Sequence, residues 1–268
     1  SVSIGIQKLE EELGVQLFDR SQRQIALTTE GNIFYRRVNE ILMHINDSVN
    51  EIKDLKPCQC GSIKIGIPPM IGVLLFPQIF AKFRKQYPKI ELIAVEVGSL
   101  SIQKLLEEGR IDIGIITKYN SFSVLETRPI TVAQLHVCLP HNHPPNSLTC
   151  IPFAKLNGQP FILLKEDTYN HQVIMNECQK HHFTPQIIFS SSQIDTIISL
   201  VELEVGISFL FDDIAQKYPV INSIPLEEPI SSPIVLAWNK KRYLTSASRT
   251  FIDFITSKHF NLSKKPLI

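Results

Sequence analysis

Four apolar residues near the start of the chain, Val2, Ile6, Leu9 and Leu13, recur at steps of four, three and four, and Gly14 follows at once. That spacing puts all four on one face of a helix, and Gly14 stands where a helix ends in the left-handed backbone conformation. Ser1 precedes the run as an N-cap, able to accept a main-chain N–H. Opposite the apolar stripe lie Ser1, Ser3, Gln7 and Lys8, short or flexible hydrogen-bonding side chains suited to base edges and phosphates. Leu17-Phe18 comes next, then Arg20 and Arg23 around a polar turn, then the alternating Gln24-Ile25-Ala26-Leu27. The stretch predicts a helix followed by a two-stranded wing with guanidinium groups at its tip, so that the helix can enter a major groove while the wing holds the backbone.

These residues follow one pattern, S-x-S-x-x-I-x-x-L-E-x-x-L-G-x-x-L-F-x-R, and then L-T-x-x-G from Leu27 to Gly31. It resembles the winged helix-turn-helix of LysR-type bacterial transcriptional regulators. The match is ungapped and is filled at Ser1, Ser3, Ile6, Leu9, Glu10, Leu13, Gly14, Leu17, Phe18, Arg20, Leu27, Thr28 and Gly31. A generic amphipathic helix with a glycine stop has no reason to be followed by L-F-x-R and L-T-x-x-G. The resemblance implies that Ser1 begins the recognition helix and that the first helices of the DNA-binding domain precede it. Double-stranded DNA is then the partner: Ser1, Ser3, Gln7 and Lys8 enter the major groove, while Arg20, Arg23 and Thr28 hold phosphates or reach a minor groove. Ile4 and Gly5 depart from the polar residues usual in the family at those positions. Ile4 is suited to a thymine methyl, and Gly5 costs about 1 kcal/mol of helix propensity.

Charge alone gives no support to nucleic-acid binding. The net charge is +1 over 268 residues, and residues 1–60 hold seven Lys/Arg against nine Asp/Glu. The DNA expectation rests on the motif. A 44% apolar and 20% charged composition is that of an ordinary globular chain, long enough for two or three domains. There is no secretory leader and no apolar run near eighteen residues, so a cytoplasmic protein with no membrane contact is expected. Five cysteines at 58, 60, 138, 150 and 178 have no framework spacing and read as reduced thiols.

Between residues 29 and 56 there is no proline, and Val38, Leu42, Ile45, Val49 and Ile52 alternate steps of four and three. That is the a/d seam of a coiled coil, which predicts a long linker helix pairing subunits into a homodimer or homotetramer. A helix packed against its own domain is the alternative. Pro57-Cys58-Gln59-Cys60-Gly61 then breaks the helix as a hinge.

Beyond the hinge, strands alternate with helices. Strands are expected at 62–67, 91–97, 111–117, 132–139, 159–164, 186–189, 206–210, 221–225 and 234–238. Helices are expected at 73–87, 102–108, 169–182, 194–203 and 245–257. Such alternation argues for mostly parallel sheets with crossover helices. The last strand and helix return to the first unit, leaving two α/β lobes joined by two crossings. The segments L-L-E-E-G-R-I-D-I-G-I-I (105–116) and I-S-L-V-E-L-E-V-G-I-S-F-L (198–210) are similar to the effector-binding domain of the same family, with Glu204 where the family commonly has Gly. The expected fold is α/β: a partial winged helix-turn-helix (1–28), a linker helix (29–57), a hinge (58–60), and a two-lobed, periplasmic-binding-protein-like effector domain. Lobe 1 takes 61–139 and 235–268, and lobe 2 takes 140–234.

In open α/β lobes, ligands sit beyond the carboxyl ends of strands, where helix N-termini offer free N–H groups. Three loops meet that description: one holding Pro69 and Met70, one holding Ser99, Leu100 and Ser101, and one leading through Thr168 into Tyr169. Ser99, Ser101 and Thr168 also suit plain N-capping. Thr117 and Phe209, at strand ends, are expected to line the same cleft. The resemblance implies a small-molecule effector there, often an anion, and a carboxylate held by hydroxyls and helix N-termini is the expectation. RNA polymerase is a further partner if the protein activates transcription.

Cys58-x-Cys60 lacks two further ligands at zinc spacing, and His141, His143, His181 and His182 read as surface residues, so neither metal nor cofactor is expected. No G-x-S-x-G, H-E-x-x-H or phosphate-binding glycine loop occurs, and no enzyme is indicated. The competing reading is a periplasmic-type solute-binding module. Such a module needs neither a wing nor a heptad helix.

Overall fold

The computed structural model describes residues 2–21, 25–55, 60–118, 122–141 and 149–257. Ser1 and Arg23 lie outside that set, as do His143 and residues 58 and 59 of the expected hinge. The chain divides into two compact units, Ser1–Lys56 and Pro57–Ile268.

In the first unit, α1 (Val2–Leu13) stops at Gly14, whose φ of +69° is the left-handed conformation expected there. A short antiparallel pair follows, β1 (Phe18–Asp19) with β2 (Ala26–Leu27), Phe18 opposite Leu27. α2 (Thr29–Asp54) then runs for 26 residues. Its predicted seam is an open apolar stripe: Val38 is half-buried, and Leu42, Ile45, Val49 and Ile52 are exposed, with Ile41 beside them.

The second unit begins with β3 (Gly61–Ile67), α3 (Pro69–Leu74), α4 (Phe76–Gln86), β4 (Ile90–Glu96), α5 (Ser99–Glu107) and β5 (Ile113–Thr117). β3 pairs in parallel with both β4 and β5, as the alternation requires. The single helix expected over 73–87 is two helices broken at Leu75. Pro77 has no N–H for the Val73 carbonyl four residues back, and that carbonyl accepts from Lys217 Nζ at 3.4 Å instead.

β6 (Leu125–Pro140), β7 (Pro160–Leu164), α6 (Tyr169–Lys180), β8 (Gln186–Ser191), α7 (Ile194–Glu202), β9 (Ser208–Phe211), α8 (Asp212–Ala215), β10 (Ile221–Asn239) and α9 (Ser246–Thr256) complete it. The main sheet has the order β4-β3-β5-β10-β6-β9, and β7 pairs in parallel with β8. A bridge from Phe161 to Ile207 sets β7 beside the start of β9. The separate short strands expected at 221–225 and 234–238 are one 19-residue strand, β10, and the strand expected at 132–139 is the second half of β6. Prolines 225, 229 and 233 read as strand ends; the strand absorbs them with register shifts between Pro225 and Ile230 and between Ile234 and Val235.

β6 and β10 are therefore the two crossings. The end of β10 pairs with β5, whereas Leu135–Cys138 of β6 pair with β9. The first crossing thus falls inside β6, ahead of the breaker after Leu139. α9 returns to lobe 1, where Phe251 and Phe254 meet Phe83 of α4 edge-on with ring centres 5.0 and 5.2 Å apart. Glu204, in the turn after α7, has φ +59°, which is why a glycine suits that position better.

Candidate functional site

In the first unit the α1 side chains Ser3, Gln7 and Lys8 are exposed, and none of the helix is fully buried. What holds the wing against the helix is a residue to which the sequence reading gave no role, Glu10. Its Oε1 accepts the main-chain N–H groups of Leu17 at 2.8 Å and Phe18 at 3.1 Å, and its Oε2 pairs with Arg20 at 3.2 Å. The Leu17 and Phe18 hydrogen bonds, with the nearby Arg20 charge, hold the Glu10 carboxyl below the ordinary glutamate range. Arg20 is thus committed to a brace on one side and remains half exposed on the other.

Thr28 is committed as well. Its hydroxyl donates to Gln16 O at 2.7 Å and accepts from Gly31 N at 2.9 Å as the N-cap of α2. That is a structural role for a hydroxyl expected on a phosphate. The glycine of L-T-x-x-G has its own reason: a Cβ on Gly31 would run into the Leu17 carbonyl.

In the second unit, the loops after β3, β4 and β7 converge between the lobes on a crevice of about 770 Å³, together with the loop after β8. A narrow inner crevice opens beside it and shares Pro68, Pro69 and Thr168. Met70, Ser99, Thr117, Thr168 and Tyr169 all line this inner part. Thr168 caps α6, accepting from His171 N at 3.2 Å.

Leu100 and Ser101 do something else. The N-cap position of α5 is Gly98, which has no side chain to offer, and the cap comes from the other lobe. Asp167 Oδ2 accepts from Gly98 N at 2.8 Å and Ser101 Oγ at 2.9 Å, and Asp167 O accepts from Leu100 N at 3.0 Å. The lobes approach so closely here that a Cβ on Gly98 would lie 2.6 Å from Asp167 Cγ and collide with its carbonyl. A carboxylate does sit at this helix N-terminus, where the free N–H groups and the dipole favour it, but it belongs to the protein.

A model of the bacterial regulatory helix-turn-helix protein, lysR family, matches residues 1–32, and one of the LysR substrate binding domain matches residues 59–259. The chain belongs to the LysR family. The HTH-type transcriptional regulator YwbI of Bacillus subtilis is 32% identical over 260 residues, 96% of this chain and 86% of its own. The crystal structure of HinK, a LysR family transcriptional regulator from Pseudomonas aeruginosa, matches with a TM-score of 0.63 at 26% identity, covering 95% of this chain and 86% of that one. The effector binding domain of QuiR in complex with shikimate shares the fold, with a TM-score of 0.65 at 22% identity, covering 73% of this chain and 95% of that one. This LysR protein is accordingly a DNA-binding transcriptional regulator with an effector-binding domain, not an enzyme and not a bare solute-binding module. Among its described residues no helix is long and apolar enough to cross a membrane.

One expectation for this LysR domain needs correction. Phe209 does not line the crevice: it is 1% exposed, inside the lobe 2 core, with its ring 5.3 Å from Phe161 and 5.8 Å from Phe153. Two residues on along β9, about 6.6 Å further toward the carboxyl end, Phe211 takes that place. The charged part of the crevice lining is of both signs. Among the described residues it holds Glu96, Asp167 and Asp195 and one cation, Lys165. Glu96 ends β4 and Asp195 opens α7, so the strand-end rule reaches both once it is applied to every loop.

The thiols divide. Cys60 is disulfide-bonded, unlike the reduced state expected, and Cys138, Cys150 and Cys178 are free. Burial pushes the Cys138 and Cys178 thiols up to about 12, which leaves them poor nucleophiles. His181 lies with Glu177 and Glu228 in the one group of potential metal ligands among the described residues. Lys180 already stands between those carboxylates, 2.6 Å from Glu228 and 3.5 Å from Glu177.

Proposed function

We propose that α1 lies in the major groove of duplex DNA, with Ser3, Gln7 and Lys8 toward the base edges and Ser1 at its start. Arg20, braced by Glu10, and Arg23 meet the backbone beside it. α2 pairs two copies through Val38, Leu42, Ile45, Val49 and Ile52, giving a dimer or a tetramer. A small molecule held in the inter-lobe crevice changes the lobe arrangement and so the placement of the paired heads, and the effector binding domain of QuiR, which has this fold, is solved in complex with shikimate. The cytoplasm is the compartment for such work, and RNA polymerase is the further partner if transcription rises.

The observation that carries the DNA role is the exposure of Ser3, Gln7 and Lys8 on a helix tied to its wing by the Glu10 carboxylate. The test is selection of bound duplexes from a random library by the full-length protein, followed by binding of the selected sequence. Lys8→Ala is expected to lower the slope of log affinity against log salt by about one. Gln7→Ala is expected to cost about 1–3 kcal/mol and to relax preference at one base pair. Equal binding by wild type and both variants removes these roles.

A further inference from the structure

We propose that the ligand of the inter-lobe crevice carries a protonated amine, which meets the carboxylates of Glu96 and Asp195. This rests on the reading of the crevice as the effector site and names the chemistry of what enters it. Three observations carry it.

The first concerns the place where an anion would be expected to bind, the N-terminus of α5. The carboxylate of Asp167 fills it, with Gly98 N and Ser101 Oγ as donors and the Leu100 N–H taken by the Asp167 carbonyl. An incoming carboxylate would have to displace a group tethered within the protein.

Charge in the space that remains is the second. Glu96 and Asp195 are exposed at the wall of the large crevice, Asp195 with Oδ1 accepting from the Tyr218 hydroxyl at 2.7 Å, and among the described residues Lys165 is the one cation lining it. A ligand of the same sign as Glu96 and Asp195 is repelled by both, while an ammonium is drawn to both. Lys165 leaves room for one carboxylate beside that ammonium, so diamines and amino acids both belong to the class, and di- and tricarboxylates do not.

The third is an acceptor deep in the inner crevice. Asn170 is 2% exposed, and its Nδ2 donates to Phe209 O at 2.9 Å, which fixes which way the amide faces. Its Oδ1 is left without a donor among the described residues. A buried acceptor of this kind costs stability until a donor reaches it. The inner crevice, about 10 Å³, admits a water and no larger group, so the donor is a water that in turn accepts from an N–H or O–H of the ligand.

The test compares 1,4-diaminobutane and L-lysine with succinate and citrate, probes of similar size and opposite charge. Thermal shift and calorimetry are run on the full-length protein and on Glu96→Gln, Asp195→Asn and the double variant. Glu96 is exposed, and Asn at 195 keeps an amide oxygen for the Tyr218 hydroxyl, which Asp195 Oδ1 accepts at 2.7 Å, so the variants are expected to melt close to wild type without ligand. A stabilising amine that binds about five-fold more weakly to each single variant, and more weakly still to the double variant, is the expected result. Stabilisation by succinate or citrate with both amines silent overturns the proposal while leaving the crevice as the effector site. Silence toward all four probes overturns it too. Failure of the underlying reading is a separate outcome, in which an amine binds in the crevice but leaves affinity for the selected duplex unchanged.

Discussion

Asp167 is where the closed arrangement of the lobes is most open to perturbation. Replacing it by Ala removes the two hydrogen bonds its carboxylate accepts, from Gly98 N at 2.8 Å and from Ser101 Oγ at 2.9 Å, and removes a negative charge from a helix N-terminus. Hydrogen bonds to a charged group are worth about 1.5–3 kcal/mol when fully buried. Asp167 is only half-buried, so about 2 kcal/mol for the pair is the working figure. That corresponds to a shift of about thirty-fold toward the open form. The contact from Leu100 N to Asp167 O is main-chain and survives the substitution. Amide hydrogen exchange separates the cases, because opening of the lobes exposes Gly98 N and Leu100 N together, while Ile102 N stays bonded to Gly98 O inside α5. Asp167→Ala is expected to speed exchange at Gly98 and Leu100 by about thirty-fold and leave Ile102 alone. Acceleration at Gly98 only, or at neither, would show that the lobes are held by other contacts and refute the reasoning.

The remaining predictions concern the first unit. Because the Leu17 and Phe18 N–H groups and Arg20 lower the Glu10 pKa on folding, its contribution is present above the ordinary glutamate value near 4.5 and is lost as pH falls through the lower folded value. The melting difference between wild type and Glu10→Gln is therefore expected to be full at neutral pH and to vanish in acid; a pH-independent difference contradicts the sign. Gly31→Ala pushes a methyl group into the Leu17 carbonyl and is expected to destabilise the wing by about 1–3 kcal/mol, read as faster exchange of the Thr28 amide. Ile45, 54% exposed on α2, is expected to lose about 1.5–3 kcal/mol of burial per copy when changed to Asp, shifting the assembly to monomer in sedimentation. An unchanged mass would remove the seam from the interface.

What the sequence made legible is what depends on local pattern. The stripe ending at Gly14 and the strand–helix alternation both follow from spacing within one or two turns of chain. The loops at Pro69, Ser99 and Thr168 were legible too, because a strand's carboxyl end is a place that topology fixes. What stayed hidden needed partners distant in sequence. Asp167 lies 69 residues from Gly98, and nothing local shows that it caps the other lobe's helix. Phe209 and Phe211 have the same parity in one strand, and only the depth of the lobe decides which is core and which is lining. The length of β10 was obscured because its prolines look like breaks until the register shifts that accommodate them are seen. Glu10 was matched as part of a motif, but its use as a brace depends on main-chain N–H groups seven and eight residues on.

If the crevice and the DNA-reading head are energetically linked as proposed, the linkage is reciprocal. The most direct measurement is the affinity of the amine identified by thermal shift, taken with and without the selected duplex, beside the duplex affinity taken with and without the amine. Both affinities are expected to change by the same factor, and Asp195→Asn is expected to weaken the amine without touching duplex binding in its absence. Amine affinity unaffected by saturating duplex would contradict it.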